Sequence, residues 1–186
     1  MEAIKKIELN KIAKIIFLAL LGTLLLTISA KIKIPFYPVP MTMQTFIVLF
    51  LGITLGPKIG LLTVSLYLFE GIFGLPVFAG TPEKGIGLVY FTGPTMGYLI
   101  GFLFAVYFAG SFKYDKSLIN IFLKLIFSVS FIYIFGLIWL GTLIGWDKPV
   151  FKLGAEPFLL AELFKILLLL FLTPTLLKAK KLIKIT

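Results

Sequence analysis

The sequence predicts an all-α fold, an integral membrane bundle of six transmembrane helices with both termini on the cytoplasmic side. Three observations predict it. Hydrophobic residues fill 60% of the 186 positions, against roughly 45–50% in a soluble domain, and mean hydropathy is +1.10. The apolar residues fall in blocks close to the roughly 20 residues that cross a bilayer. Most lysines fall between those blocks, and they are more numerous on the side reached before the first crossing and after every second one.

The first span is expected over residues 15–34, its uniformly apolar part being 15–30. Glu8 and Lys14 interrupt the stretch before it and no small-residue cleavage site follows, so it reads as a retained span. Pro35, Pro38 and Pro40 then forbid helix. A second span over 41–56 ends at Gly56-Pro57, and a third over 59–75 starts so soon afterwards that the two must be antiparallel neighbours.

Residues 77–91 hold Gly80, Pro82, Gly85 and Gly87 among apolar side chains. Irregular backbone of that composition is tolerated at membrane depth only under protein or beside a watery cavity, so a lid is expected here. The fourth span, 93–112, opens on Gly93-Pro94, with proline suited to a first helical turn. A polar turn at Lys113-Tyr114-Asp115-Lys116 leads to a fifth span over 118–140, and a loop at 145–157 leads to a sixth over 158–177 that contains Pro174. Residues 1–186 are expected to form a single transmembrane domain.

Orientation follows from the lysines. Lys5, Lys6, Lys11, Lys14, Lys58, Lys113, Lys116 and the cluster Lys178, Lys180, Lys181 and Lys184 all fall on one side, which should be the cytoplasm.

The net charge of +10 comes from lysine alone, since the chain has no arginine. Lysine is the weaker choice for planar phosphate recognition, so nucleic-acid binding is a poor reading. The absence of Cys and His removes thiol and Ser-His-Asp chemistry and Cys/His metal sites. No metal, cofactor or catalytic residue is expected, and the chain is not expected to be an enzyme.

Three ionisable groups stand out deep in the spans: Glu70, Glu162 and Lys165. A charge at the bilayer centre costs on the order of 3 kcal/mol on insertion scales, so each requires a reason. Glu162 and Lys165 are three residues apart on a helix and share a face, where they offer an acceptor and a cationic donor. They form either a ligand site open to the outside or a self-neutralising pair snorkelling to the headgroups. Glu70 is either a headgroup-level carboxylate or a second acceptor. The small residues Ala19, Gly22 and Thr23 would let another helix approach the first span closely, from a partner or from within the chain.

Four stretches together resemble the BioY family, the biotin-specific S components of energy-coupling-factor (ECF) transporters. Pro38-Val39-Pro40-Met41-Thr42-Met43-Gln44-Thr45 is similar to its proline loop entering a Thr-x-Gln-Thr helix start. Leu66-Tyr67-Leu68, Gly71 and Gly74-Leu75-Pro76-Val77-Phe78-Ala79-Gly80 form the second stretch. Gly93-Pro94-Thr95-Met96-Gly97-Tyr98 resembles a Gly-Pro-Thr-Gly-Gly-Tyr start with Met96 in place of glycine. Pro157-Phe158 leading to Glu162 and Lys165 is similar to Pro-Gly-Asp-x-x-Lys, from which Ala161 and Glu162 depart while the charge is kept.

The resemblance implies a six-helix subunit that binds biotin and associates with a transmembrane coupling (T) subunit and two ATP-binding subunits, with Ala19, Gly22 and Thr23 on the docking face. The chain has no Gly-x-x-x-x-Gly-Lys-Ser/Thr phosphate loop of its own. The expected binding residues are Glu162, Lys165, Thr42, Gln44, Tyr98 and Glu70, with the helix start at Gly93 and Thr95 as a seat for a carboxylate. Rival readings are an S component for riboflavin or thiamine, a membrane-embedded lipid enzyme, and a bundle without a ligand.

Overall fold

The computed structural model describes residues 2–115 and 117–183, with side chains described over 9–115 and 117–181. Lys116 and Lys184, and the side chains of Lys5 and Lys6, lie outside the described residues. The chain runs from α1 (Glu2–Lys31) through the short strands β1 (Lys33–Ile34) and β2 (Met41–Thr42) into α2 (Gln44–Ile72). A 3-10 helix (Gly87–Thr92) precedes α3 (Met96–Ser111), followed by α4 (Leu118–Ile144), the short α5 (Val150–Gly154), a 3-10 turn (Glu156–Phe158) and α6 (Leu159–Ile183). Four segments are long and apolar enough to cross a membrane: Leu9–Lys31, Gln44–Ile72, Leu118–Ile144 and Val150–Lys181. At 16 residues, α3 spans about 24 Å, somewhat short of a hydrocarbon core of about 30 Å.

α2 is one helix in hydrogen-bond pattern but two in space. Gly56 sits at φ 78°, ψ 176°, a backbone state that side-chain-bearing residues avoid, and Pro57 starts the second arm where its missing N–H costs nothing. Gln44 Nε2 donates to the Tyr67 hydroxyl at 2.8 Å, although 23 residues of straight helix would separate them by about 34 Å. The two arms, 44–55 and 57–72, are therefore antiparallel, as the Gly56-Pro57 signal predicts.

The proline-rich loop after α1 is a narrow ribbon, with Lys33 opposite Thr42 and Ile34 opposite Met41 in antiparallel register. α6 runs on through Pro174 to Ile183, past the expected end of the span at 177. Proline removes one N–H from the helix ladder, a loss the helix tolerates here, and the adjacent Thr173 hydroxyl turns back on Leu169 O at 2.6 Å.

Packing is by close backbone approach and aromatic contact, as expected where lipid tails offer no hydrophobic drive between helices. Ala19, Thr23, Leu26 and Ala30 are buried on one side of α1, and a Cβ at Gly22 would run into Thr63 of α2. The small-residue stripe of α1 is thus buried against the chain's own α2, while Phe17, Leu20, Leu24 and Ile28 face outward. Phe104 stacks on Phe135 (4.5 Å) and Phe108 on Phe131 (4.6 Å), knitting α3 to α4.

Lys124, an ionisable residue within α4 that the sequence reading passed over, turns its ammonium to Lys113 O at 2.7 Å. A hydroxyl cap at Ser117 to Asn120 N opens the same helix.

Gly110 of α3 touches the α2 turn, where a Cβ would meet the backbone of Gly56 and Pro57. Gly110→Val should destabilise the protein by about 1–3 kcal/mol through overpacking, read as a lowered melting temperature in detergent. An unchanged melting temperature would mean that α3 does not abut the turn.

Candidate substrate-binding site

The start of α2, the end of the ribbon and the first turns of α6 meet at one ammonium. Lys165 Nζ lies 2.6 Å from Glu162 Oε1, 2.6 Å from the carbonyl of Thr42 and 3.0 Å from Thr45 Oγ1. An ammonium has three N–H donors, and all three are engaged. The Thr45 hydroxyl donates in turn to Glu162 Oε1 at 2.8 Å. Glu162 and Lys165 are only 5% and 7% exposed, so the pair is sealed in protein and does not snorkel to the headgroups.

The second oxygen of the carboxylate is different. Glu162 Oε2 is buried and has no hydrogen-bond partner, the one such side-chain atom found among the described residues. The Tyr133 hydroxyl of α4 faces the carboxylate without closing a hydrogen bond to Oε2. A buried acceptor left open costs about 1–3 kcal/mol, more when charged, so such an atom demands an explanation.

That explanation is a cavity. Glu162 helps to line a half-open cavity of about 560 Å³, solvent at its mouth included, between α2, α3, α4 and α6. Val39, Pro40, Ala79, Leu99, Phe102, Ile132 and Phe158 make its apolar walls, and Thr42, Gln44, Thr45, Tyr90, Thr95, Tyr98 and Tyr133 its polar points.

Most of those polar points are braced by the chain itself. Gln44 donates to Tyr67, whose hydroxyl donates to Val77 O at 3.0 Å. The Tyr98 hydroxyl donates to Gly154 O at 2.8 Å, tying α3 to α5. The Tyr90 hydroxyl accepts from Gly80 N at 3.4 Å, and burial raises its phenol above the ordinary range, keeping it neutral.

Of the residues singled out in the sequence, Thr42, Gln44, Thr95, Tyr98 and Glu162 share this cavity. Lys165 lies behind it, at the edge of an apolar groove between the ribbon and α6. Gly93 is held at one side, its carbonyl accepting from Trp139 Nε1 at 2.8 Å. Glu70 is not among the lining residues; it is half-buried and reaches Thr23 of α1.

Thr45 and Tyr133 were not singled out. Thr45 stands in the quoted Thr-x-Gln-Thr stretch and was legible there, whereas Tyr133 is a lone tyrosine in an apolar helix with no signal of its own.

An apolar multi-pass helical bundle with a half-satisfied carboxylate lining a half-open cavity defines a membrane protein built around a small-molecule site. The sequence profile of the BioY family matches residues 3–182. A probable biotin transporter of Pyrococcus horikoshii is 36% identical over 157 residues, covering 82% of this chain and 90% of that protein. A biotin transporter of Thermotoga maritima is 34% identical over 145 residues, covering 77% and 84%. The crystal structure of the S-component for biotin from an ECF-type ABC transporter matches with a TM-score of 0.75 at 27% identity, over 91% of this chain and 93% of that one. The chain belongs to the BioY family.

Removing one member of a buried ion pair costs about 3–5 kcal/mol because the other charge is stranded, whereas replacing both with apolar groups is often near neutral. Lys165→Met should therefore lower the melting temperature in detergent more than Lys165→Met/Glu162→Met does. Equal losses would show that the two groups are not energetically paired.

Proposed function

We propose that this chain is the biotin-capturing S component of an ECF-type importer, not an enzyme. The observation that carries the reading is Glu162 Oε2, a buried, unpartnered acceptor beside the cavity. Biotin joins a ureido ring with two N–H donors and a carbonyl to an apolar thiophane and an anionic pentanoate tail. A ureido N–H completes the open oxygen of Glu162, and the ring lies against the apolar wall of Leu99, Phe102 and Ile132.

Lys165 serves this contact from behind. Its ammonium fixes the carboxylate through Oε1 and fastens Thr42 and Thr45 around it, so that Oε2 alone is presented. Gln44, Tyr98 and Tyr133 add neutral hydrogen-bonding groups around the ring, and Thr95 at the start of α3 lies where the helix dipole favours the carboxylate tail. Exclusion of water strengthens each of these bonds.

Two segments cover the cavity, the ribbon with Val39 to Thr42 and the loop carrying Ala79. With the arms of α2 counted separately, the chain makes six crossings as a single domain and leaves both termini in the cytoplasm beside the lysine clusters. Working partners are the T subunit and two ATP-binding subunits, with the energy of ATP hydrolysis supplied by the latter. The face of α1 toward a partner is the bulky one, because Ala19, Gly22 and Thr23 are turned inward.

Purified protein should bind biotin in preference to riboflavin or thiamine in a ligand panel. Glu162→Gln should weaken binding by about 10- to 150-fold, the equivalent of one charge-assisted hydrogen bond of roughly 1.5–3 kcal/mol. Unchanged biotin affinity in both Glu162→Ala and Lys165→Ala would overturn this site. Tighter binding of another vitamin would overturn the choice of substrate.

A further inference from the structure

The loop after α2 carries its backbone in an unusual way. From residue 77 to residue 81 every carbonyl has a donor, yet three of the five are served by two lysines from elsewhere in the chain. Val77 O accepts from the Tyr67 hydroxyl and Gly80 O from Lys84 N. Phe78 O and Thr81 O both accept from Lys31 Nζ, at 2.9 and 3.0 Å, and Ala79 O accepts from Lys33 Nζ at 2.8 Å. The third donor of Lys31 meets Thr81 Oγ1 at 3.2 Å, so that this ammonium, too, is fully engaged.

The root of the loop is held by other means. Phe78 is buried, stacked on Tyr90 at 4.8 Å and set edge-on to Tyr67 and Phe91 at 5.3 and 5.4 Å. The rim beyond it has weaker anchors of its own, Gly80 N donating to the Tyr90 hydroxyl at 3.4 Å and the Thr81 hydroxyl to Phe78 O at 2.8 Å. The ammonium bonds add the link to the ribbon. Both lysines are themselves exposed, and they come from the last residue of α1 and the first of β1. They therefore tie the loop that carries Ala79 to the ribbon that carries Val39, Pro40 and Met41, and these residues line the cavity from the two covers. Lys33 also pairs with Thr42 across the ribbon, and the Thr42 carbonyl is held by Lys165. A continuous path of bonds thus runs from the Glu162 carboxylate to the rim of the loop.

We propose that Lys31 and Lys33 form a latch that joins the two covers into one lid, so that these lysines set how long the ligand stays without touching it. The inference rests on the biotin-capture reading for its ligand. Ammonium-to-carbonyl bonds are charge-assisted yet few, which suits a closure that must hold and then release. Both lysines are positioning residues, acting through the carbonyls of residues 78, 79 and 81. Opening requires only that these contacts part, while Phe78 stays rooted.

The test compares the full-length chain with Lys31→Met, Lys33→Met, the double variant and Lys33→Arg in detergent, following labelled biotin and backbone amide exchange. The expected result for the double variant is dissociation at least about tenfold faster, the equivalent of losing one or two charge-assisted bonds. Association and the ligand-free melting temperature should stay near wild type, and amide exchange over residues 77–85 should rise. Lys33→Arg should restore slow dissociation relative to Lys33→Met.

Unchanged dissociation with unchanged exchange overturns the latch, as does a melting temperature that falls in step with dissociation, which marks a merely structural staple. Should the double variant fail to fold, Lys33→Met, which removes a single bond, decides by the same readouts. If wild-type protein binds no biotin, the capture reading falls, and the exchange of residues 77–85 alone then upholds or overturns the latch.

Discussion

The fold turns on one ammonium in an apolar interior. Lys165 has no water to solvate it, and a bare charge in hydrocarbon is not sustainable. It therefore gathers a carboxylate, a hydroxyl and a backbone carbonyl from three elements, and in doing so fixes where α6, the start of α2 and the ribbon lie relative to one another. The same constraint leaves the carboxylate anchored through one oxygen with the other unpartnered, on which the proposed site is built. In the proposed reading, stability and recognition share one electrostatic requirement, since the carboxylate that neutralises Lys165 also carries the open acceptor.

Much of the architecture was legible because a bilayer leaves few options. The spans expected at 118–140 and 158–177 correspond to α4 (Leu118–Ile144) and α6 (Leu159–Ile183), and the turn at Gly56-Pro57 folds α2 double. What escaped was tertiary. Tyr133 faces the carboxylate only because α4 and α6 share a wall of the cavity, and nothing in an apolar run marks one tyrosine out. The short α5 lay unseen in the loop at 145–157, although its Gly154 carbonyl holds Tyr98 in place.

The candidate site was legible in a different way. The i, i+3 spacing of Glu162 and Lys165 foretold their contact from helix geometry alone, and an expense of burial implied a purpose. Their division of labour was not visible. A sequence cannot tell that all three donors of the lysine are taken by Thr42, Thr45 and Glu162, because two of those partners are more than a hundred residues away. Nor does it tell that Glu70 stays off the cavity lining, since that depends on the rotation of the second arm of α2.

The inward turn of the small residues of α1 has a consequence for assembly. With Gly22 pressed on Thr63, no flat seam is left for a neighbouring rod to slot into. The lipid-facing side offers branched and aromatic side chains such as Ile16, Phe17 and Leu24, which resemble the acyl tails around them. A contact made there would rest on the fit of bulky side chains, since lipid tails match them in polarity.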